Sequence, residues 1–138
     1  MITSSEPRAF PVETGMKILI VDNSQTALAT LRDVLTGHGY DVLAAKNGKE
    51  GLELLEQHPT CRIVVSGWEM SEMNGVEFCK AVRAKKDYIY FVFLTAYSGT
   101  NAIQGLDVGA DDFISKNCDP AELLARLRVG SRIIPLMK

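Results

Sequence analysis

Asp22, Thr95 and Lys116 place a carboxylate, a hydroxyl and an ammonium just past three short apolar runs, Lys17–Val21, Tyr90–Leu94 and Asp112–Ile114. Asn23, Ala96 and Ser115 stand beside them, and Gly67, Trp68 and Glu69 follow a further run, Arg62–Ser66. An acid, a hydroxyl and an ammonium meeting at one rim suit a small anionic group or a metal ion, since they supply the charge and hydrogen bonds that such a ligand loses on leaving water. The residues are far apart in the chain, so only the fold can gather them.

The pattern that would gather them is a short apolar run followed by a longer helical period, repeated five times with Asp41–Ala45 as the remaining run. The runs are continuously apolar rather than alternating, which suggests strands covered on both faces, as in a parallel sheet. Ser24 to His38 carries Leu28, Leu31 and Leu35 on one helical face and ends at Gly37 and Gly39. Asn47 with Glu50 and Asn74 with Glu77 have the cap residue and the acid three positions later that begin a helix. Asp119 with Pro120 does the same, with proline at the first helical position. A further helix is expected over Thr100 to Val108, stopped by Gly109. Five βα units in succession predict an α/β fold, a doubly wound five-stranded parallel sheet with helices on both faces. Ligands of such sheets sit beyond the carboxyl ends of the strands, where the residues above converge.

Composition narrows the function. The chain has 138 residues, 46% hydrophobic and 23% charged, enough apolar material for one domain with its own core. With 15 basic and 17 acidic residues it has no cationic excess for phosphate backbones, so nucleic-acid binding is not expected. The apolar run Tyr88–Leu94 is too short to span a membrane, and the first sixteen residues lack the apolar stretch of a signal peptide. Cys61, Cys79 and Cys118 are an odd, widely spaced set, which argues against a disulfide framework and for a reducing, cytoplasmic setting. Two histidines, His38 and His58, supply little for a histidine-based metal site or triad.

At these residues the sequence resembles the receiver domain of bacterial two-component response regulators, of the chemotaxis type. The matching segments are Ile18–Asp22, Trp68–Gly75, Leu94–Ala96, Gly109–Phe113 and Lys116, within a stretch from Lys17 to Arg132. The resemblance implies a flavodoxin-like sheet in the order 2-1-3-4-5. It also implies phosphoryl transfer onto an aspartate at the end of strand three, assisted by Mg²⁺ held by acids after strand one and by a backbone carbonyl. Carried over, Asp22 matches the first acid, the carbonyl of Glu69 the backbone ligand, Thr95 the hydroxyl and Lys116 the ammonium. Phe113 falls at the aromatic switch position, which with Thr95 would report the state of the pocket, and Gly75 matches the loop glycine.

Four positions depart from that pattern: Asn23 replaces the second acid, Ser71 and Asn117 replace prolines, and Gly67 occupies the phosphoacceptor position. Glycine has no side chain to phosphorylate. With Asp22 as the one pocket carboxylate facing Lys116, no cofactor is expected, and any Mg²⁺ binding is expected to be weak. Lys116 is expected to take the space beside Asp22 that metal and phosphoryl would share. The Lys116–Asn117 bond is expected to be trans, since the cis form costs about 2.5–4 kcal/mol when no proline follows.

The bland readings stand beside these. Trp68 and Met70 either present a contact surface or form an apolar lid over the pocket. Arg83, Lys85 and Lys86 read as cations favoured at a helix end. Residues 1–16 read as an extension, 17–132 as the receiver, and 133–138 as a tail or the start of a linker, with Ile133, Ile134, Leu136 and Met137 either folding back or extending a contact surface. The resulting expectation is a non-enzymatic, phosphorylation-independent signalling module. Its partners would be a sensor kinase or other signalling protein, an output domain, or a second copy through the last helix and strand. The alternatives are a substituted form of a phosphorylatable, Mg²⁺-dependent receiver, and the regulatory front of an output enzyme such as a diguanylate cyclase or phosphatase. A self-phosphorylating form using Asp22 or Glu69 as acceptor would need attack from the position Gly67 has vacated. A flavin-binding reading lacks a Ser/Thr/Gly-rich phosphate loop.

Overall fold

A computed structural model describes residues 16–96 and 100–136. The five strands are β1 (Lys17–Val21), β2 (Asp41–Ala45), β3 (Ile63–Ser66), β4 (Tyr90–Thr95) and β5 (Asp112–Ser115). Between and after them lie α1 (Gln25–Thr36), α2 (Gly48–Gln57), α3 (Gly75–Arg83), α4 (Thr100–Asp107) and α5 (Pro120–Ile133), and a 3₁₀ turn over Ile134–Leu136 follows α5. The sheet order is β2-β1-β3-β4-β5 and every pairing is parallel, as expected. Residues 1–15 of the proposed extension at 1–16, and Met137 and Lys138 of the tail, lie outside the described residues, as does the side chain of Leu136.

The continuous apolar runs have a two-sided explanation. Ile18 and Ile20 of β1 face one cluster, with Leu28 and Leu35 of α1 and Leu123, Leu124 and Leu127 of α5. Leu19 and Val21 face the other, with Leu55 of α2 and Phe78, Cys79 and Val82 of α3. Strand side chains alternate between faces, so a strand buried on both must be apolar at every position.

Asn47, Asn74 and Asp119 cap their helices as the spacing predicts, and Ser24 caps α1 as well. Ser24 Oγ accepts from Ala27 N at 3.1 Å, Asn47 Oδ1 from Glu50 N at 2.8 Å, and Asp119 Oδ1 from Ala121 N at 2.9 Å. Asn74 and Glu77 exchange both bonds of a capping box. Element ends move slightly. β4 and β5 each extend one residue because Thr95 pairs with Ser115, and α1 stops at Thr36 rather than His38. No cis peptide bond occurs among the described residues, so Lys116–Asn117 is trans.

One expectation is corrected, and of the two readings of the tail the folding-back one describes Ile133 and Ile134. Arg83 is more than a cation favoured by a helix end. Its Nε donates to Gly109 O at 2.7 Å, Nη1 to Ile89 O at 2.6 Å and Nη2 to Asp111 Oδ2 at 2.7 Å. Asp111 also accepts from Tyr88 Oη and, at 2.9 Å, from Phe91 N. One guanidinium thus ties the end of α3 to the start of β4 and to the turn before β5, a job its planar set of donors suits. Ile133 and Ile134 pack against the core cluster under α5 instead of extending an exposed surface.

α5 lies directly on β4 at Gly130, where a Cβ would come within 2.4 Å of Tyr90 Cδ2. Gly130→Ala gains up to about 1 kcal/mol of helix propensity but overpacks a buried contact, which typically costs about 1–3 kcal/mol. The variant is expected to lose stability in urea denaturation, against the direction of its propensity.

Cys61 and Cys79 are both buried, and burial pushes each thiol up to about 11 from 9.0. Their folded values lie above the unfolded ones. The stability they contribute is therefore complete below about pH 9 and is lost as pH rises through 11. Urea midpoints are expected to fall across that interval, and a Cys61→Ala, Cys79→Ala variant should show a shallower fall.

Candidate functional site

All five strands run the same way, so the residues following β1, β3, β4 and β5 emerge at one edge. Backbone bonds fix each of them there: Asp22 N donates to Ala45 O at 3.1 Å, Gly67 N to Val21 O at 2.8 Å and Lys116 N to Thr95 O at 2.8 Å. Asp22 and Thr95 are buried, with 4% and 2% exposure. Lys116 reaches in from β5, and its Nζ lies 2.7 Å from Asp22 Oδ2. The other oxygen, Oδ1, accepts from Ser24 N at 2.9 Å. Both oxygens of the buried carboxylate are thus engaged by the chain itself.

Gly67 is buried between them. A Cβ there would stand 3.2 Å from Asp22 Oδ2, the same oxygen that Lys116 holds. Any side chain at this position would start against the ion pair. Asn23 and Glu69 are exposed at the rim, so the structure does not bring the Asn23 side chain into the buried cluster. Among the described residues, no three His, Cys, Asp or Glu side chains gather as a metal site. A cleft of about 360 Å³ bordered by Leu55, Cys61, Arg62 and Ile89 opens where β3 and β4 begin, at the opposite end of these strands.

The loop after Gly67 turns inward. Gly75 N donates to Trp68 O at 2.8 Å, and a Cβ on Gly75 would lie 2.5 Å from Gly67 O, so only glycine closes this loop. Trp68 packs edge-on against Phe93 with centroids 4.9 Å apart and against Phe113 at 5.7 Å. Met70 packs against the same core. Of the two readings of these residues, the inward one describes their packing. Phe113 is half-buried and also meets Phe93, at 5.9 Å. The sequence signalled Phe113 but not the ring cluster, because the direction of Trp68 is set by loop closure at Gly75.

A parallel 2-1-3-4-5 sheet carrying Asp22, Thr95 and Lys116 at its carboxyl edge defines a chemotaxis-receiver-like, flavodoxin-type domain. The chain belongs to the response regulator receiver domain family, whose model matches residues 18–128. It is 35% identical over 116 residues to the Campylobacter jejuni chemotaxis protein CheY homolog, covering 81% of this chain and 89% of that one. It is also 35% identical over 114 residues to response regulator MprA of Mycolicibacterium vanbaalenii, covering 82% of this chain and 49% of MprA. Among solved structures it resembles Vibrio cholerae CheY4, with 29% identity and a TM-score of 0.79 over 85% of this chain and 99% of that one. A response regulator/GGDEF domain protein shares the fold with a TM-score of 0.82 and 24% identity, over 87% of this chain, which spans half the length of that one.

Lys116→Met removes the charge that faces Asp22 while keeping much of the stem. Loss of one partner from a fully buried pair costs about 3–5 kcal/mol. The Lys116 side chain is 33% exposed, so a smaller loss of about 1–3 kcal/mol is expected here. Chemical denaturation of Lys116→Met, Asp22→Asn and the double variant checks this, with the double variant recovering part of the loss.

Proposed function

We propose that this receiver works in two-component signalling without aspartyl phosphorylation, acting through protein–protein contacts. The observation that carries this reading is the backbone of Gly67, whose missing side chain would point at Asp22 Oδ2 where Lys116 already sits. An acceptor carboxylate is absent from that position, and the ammonium partners the acid that would otherwise help to hold a metal. Asp22, Asn23, Gly67, Thr95 and Lys116 form the pocket in this reading, and Phe113 with Thr95 forms its reporting face. None of them acts as a catalyst.

The residues present do not fit Mg²⁺. That ion asks for near-octahedral oxygen donors and is usually held by one or two carboxylates with phosphate oxygens. Asp22 has both oxygens engaged by Lys116 and Ser24 N, Asn23 stands exposed where the second acid is expected, and the Glu69 carbonyl alone is a weak donor. The partners are another signalling protein, such as a sensor kinase, or an output domain, in a cytoplasmic setting. The output-domain reading draws on MprA, a relative about twice the length of the matched region.

Intact mass after incubation with Mg²⁺ and acetyl phosphate tests the reading, with Gly67→Asp run alongside. The parent is expected to stay unmodified and the variant to gain one phosphoryl group; a phosphoryl group on the parent overturns the proposal. Sub-millimolar Mg²⁺ is expected to leave the parent's melting temperature unchanged. It should raise that of Gly67→Asp, where a second carboxylate meets Asp22 and a cation relieves the repulsion.

A further inference from the structure

We propose that Trp68 is a latch that seats α4, so that the loop at 68–74, rather than a phosphoryl group on residue 67, sets the position of that helix. The proposal rests on the phosphorylation-independent reading above and supplies the route by which such a domain would change state.

α4 has an unusual attachment. Of its described side chains, residues 103–107, Gly105 is the buried one, while Ile103 is 65% exposed and Leu106 48% exposed. Among its described residues, the helix meets the two rings through bare backbone at Gly105, where a Cβ would lie 2.8 Å from Phe113 Cδ2 and 3.1 Å from Phe93 Cδ2, and Val108 just beyond it packs on the same core. Those two rings are therefore the seat. Phe93 is fixed in β4 with no exposed surface, whereas Phe113 is half-buried, against Phe93 on one side and the backbone of α4 on another. Trp68 backs it, edge-on at 5.7 Å, while resting on Phe93 at 4.9 Å. Edge-to-face rings gain from their quadrupoles as well as from buried area, so the three rings hold one another in a defined arrangement.

The other side of Trp68 is a loop with a reason to move. Glu72 has φ of 67°, left-handed backbone that a residue with a Cβ adopts at a cost. That conformation is held by packing of Trp68, Met70 and Met73 on the core and by the close approach of Gly75 to Gly67 O. When Trp68 leaves its rings, the loop relaxes and Phe113 loses its backing. The two arrangements are Trp68 in with α4 seated, and Trp68 out with α4 loosened. A partner that grips the exposed Ser71 and Glu72 and prefers one arrangement shifts the balance by its difference in affinity.

Hydrogen exchange on the full chain tests this, comparing the parent with Trp68→Leu and with Leu52→Ala, a control that weakens the same core from α2. In Trp68→Leu, amides of 103–108 are expected to exchange about 3–10-fold faster relative to those of α1 and α5, the size of one or two aromatic contacts. Leu52→Ala should show no such selectivity. Uniform acceleration, or none, in Trp68→Leu overturns the latch. Trp68 is the sole tryptophan, so Gly105→Ala gives a second reading should Trp68→Leu not fold. Pushing α4 off its seat is expected to shift Trp68 emission, and unchanged emission overturns the proposal. A chain that stays unphosphorylated yet shows no selective exchange loses the latch alone. A chain that takes a phosphoryl group and still shows the exchange loses only the phosphorylation-independent reading.

Discussion

The 2.7 Å contact between Lys116 Nζ and Asp22 Oδ2 constrains the whole carboxyl edge of the sheet. In the order β2-β1-β3-β4-β5, the residues that make it extend strands separated by two others. At the usual spacing β1 and β5 lie roughly 14 Å apart. The pair spans the ends of β3 and β4, and the residue that follows β3 on that path is Gly67. A Cβ at 67 would come within 3.2 Å of the oxygen that Lys116 holds. A side chain at 67 would thus start against the ion pair, and the pair would have to give by a few tenths of an ångström to admit it. A buried ion pair adds little net stability against an apolar substitute, yet removing one partner is costly. Its effect here is to specify one arrangement of the rim.

Much of this was legible in the sequence, and for definite reasons. A strand between two apolar layers is apolar at every position, so Ile18–Val21 and Ile63–Val65 could be read as parallel strands before any pairing was known. Caps are local, and Asn74 with Glu77 announces the start of α3 within four residues. The rim could be read because parallel strands deliver their ends to one edge. What stayed hidden depends on contacts between distant segments. Arg83 looks like a helix-end cation until Ile89 before β4, and Gly109 and Asp111 from the turn before β5, arrive to meet its nitrogens. Gly105 looks like a weak point in a short helix until Phe113 and Phe93 occupy the space of its missing side chain.

The two ends of the sheet are held by different chemistry. At the amino-terminal end, Arg83 and Asp111 are saturated by backbone and side-chain partners, and Tyr88 lies under the guanidinium at 5.2 Å. Each of the three guanidinium nitrogens has an acceptor there. At the carboxyl end, one ion pair, a ring cluster and a loop with left-handed Glu72 do the holding. One edge is thus tied by a guanidinium network, and the other, which carries the candidate site, by an ion pair, packed rings and a loop with left-handed backbone.

In the phosphorylation-independent reading proposed above, an ammonium stands in place of a metal ion, and that changes what the pocket can respond to. A metal leaves when its concentration falls, and a phosphoryl group leaves by hydrolysis. Lys116 is tethered, so its effective concentration beside Asp22 does not depend on the solution. On that reading, a pocket filled by its own side chain offers no free ligand through which mass action can work on it. Two-state behaviour then requires a different element whose alternatives are close in energy. Among the described residues the strained loop between Gly67 and Gly75, with Trp68 turned toward the rings under α4, has that character, because the packing that holds it opposes a local backbone preference.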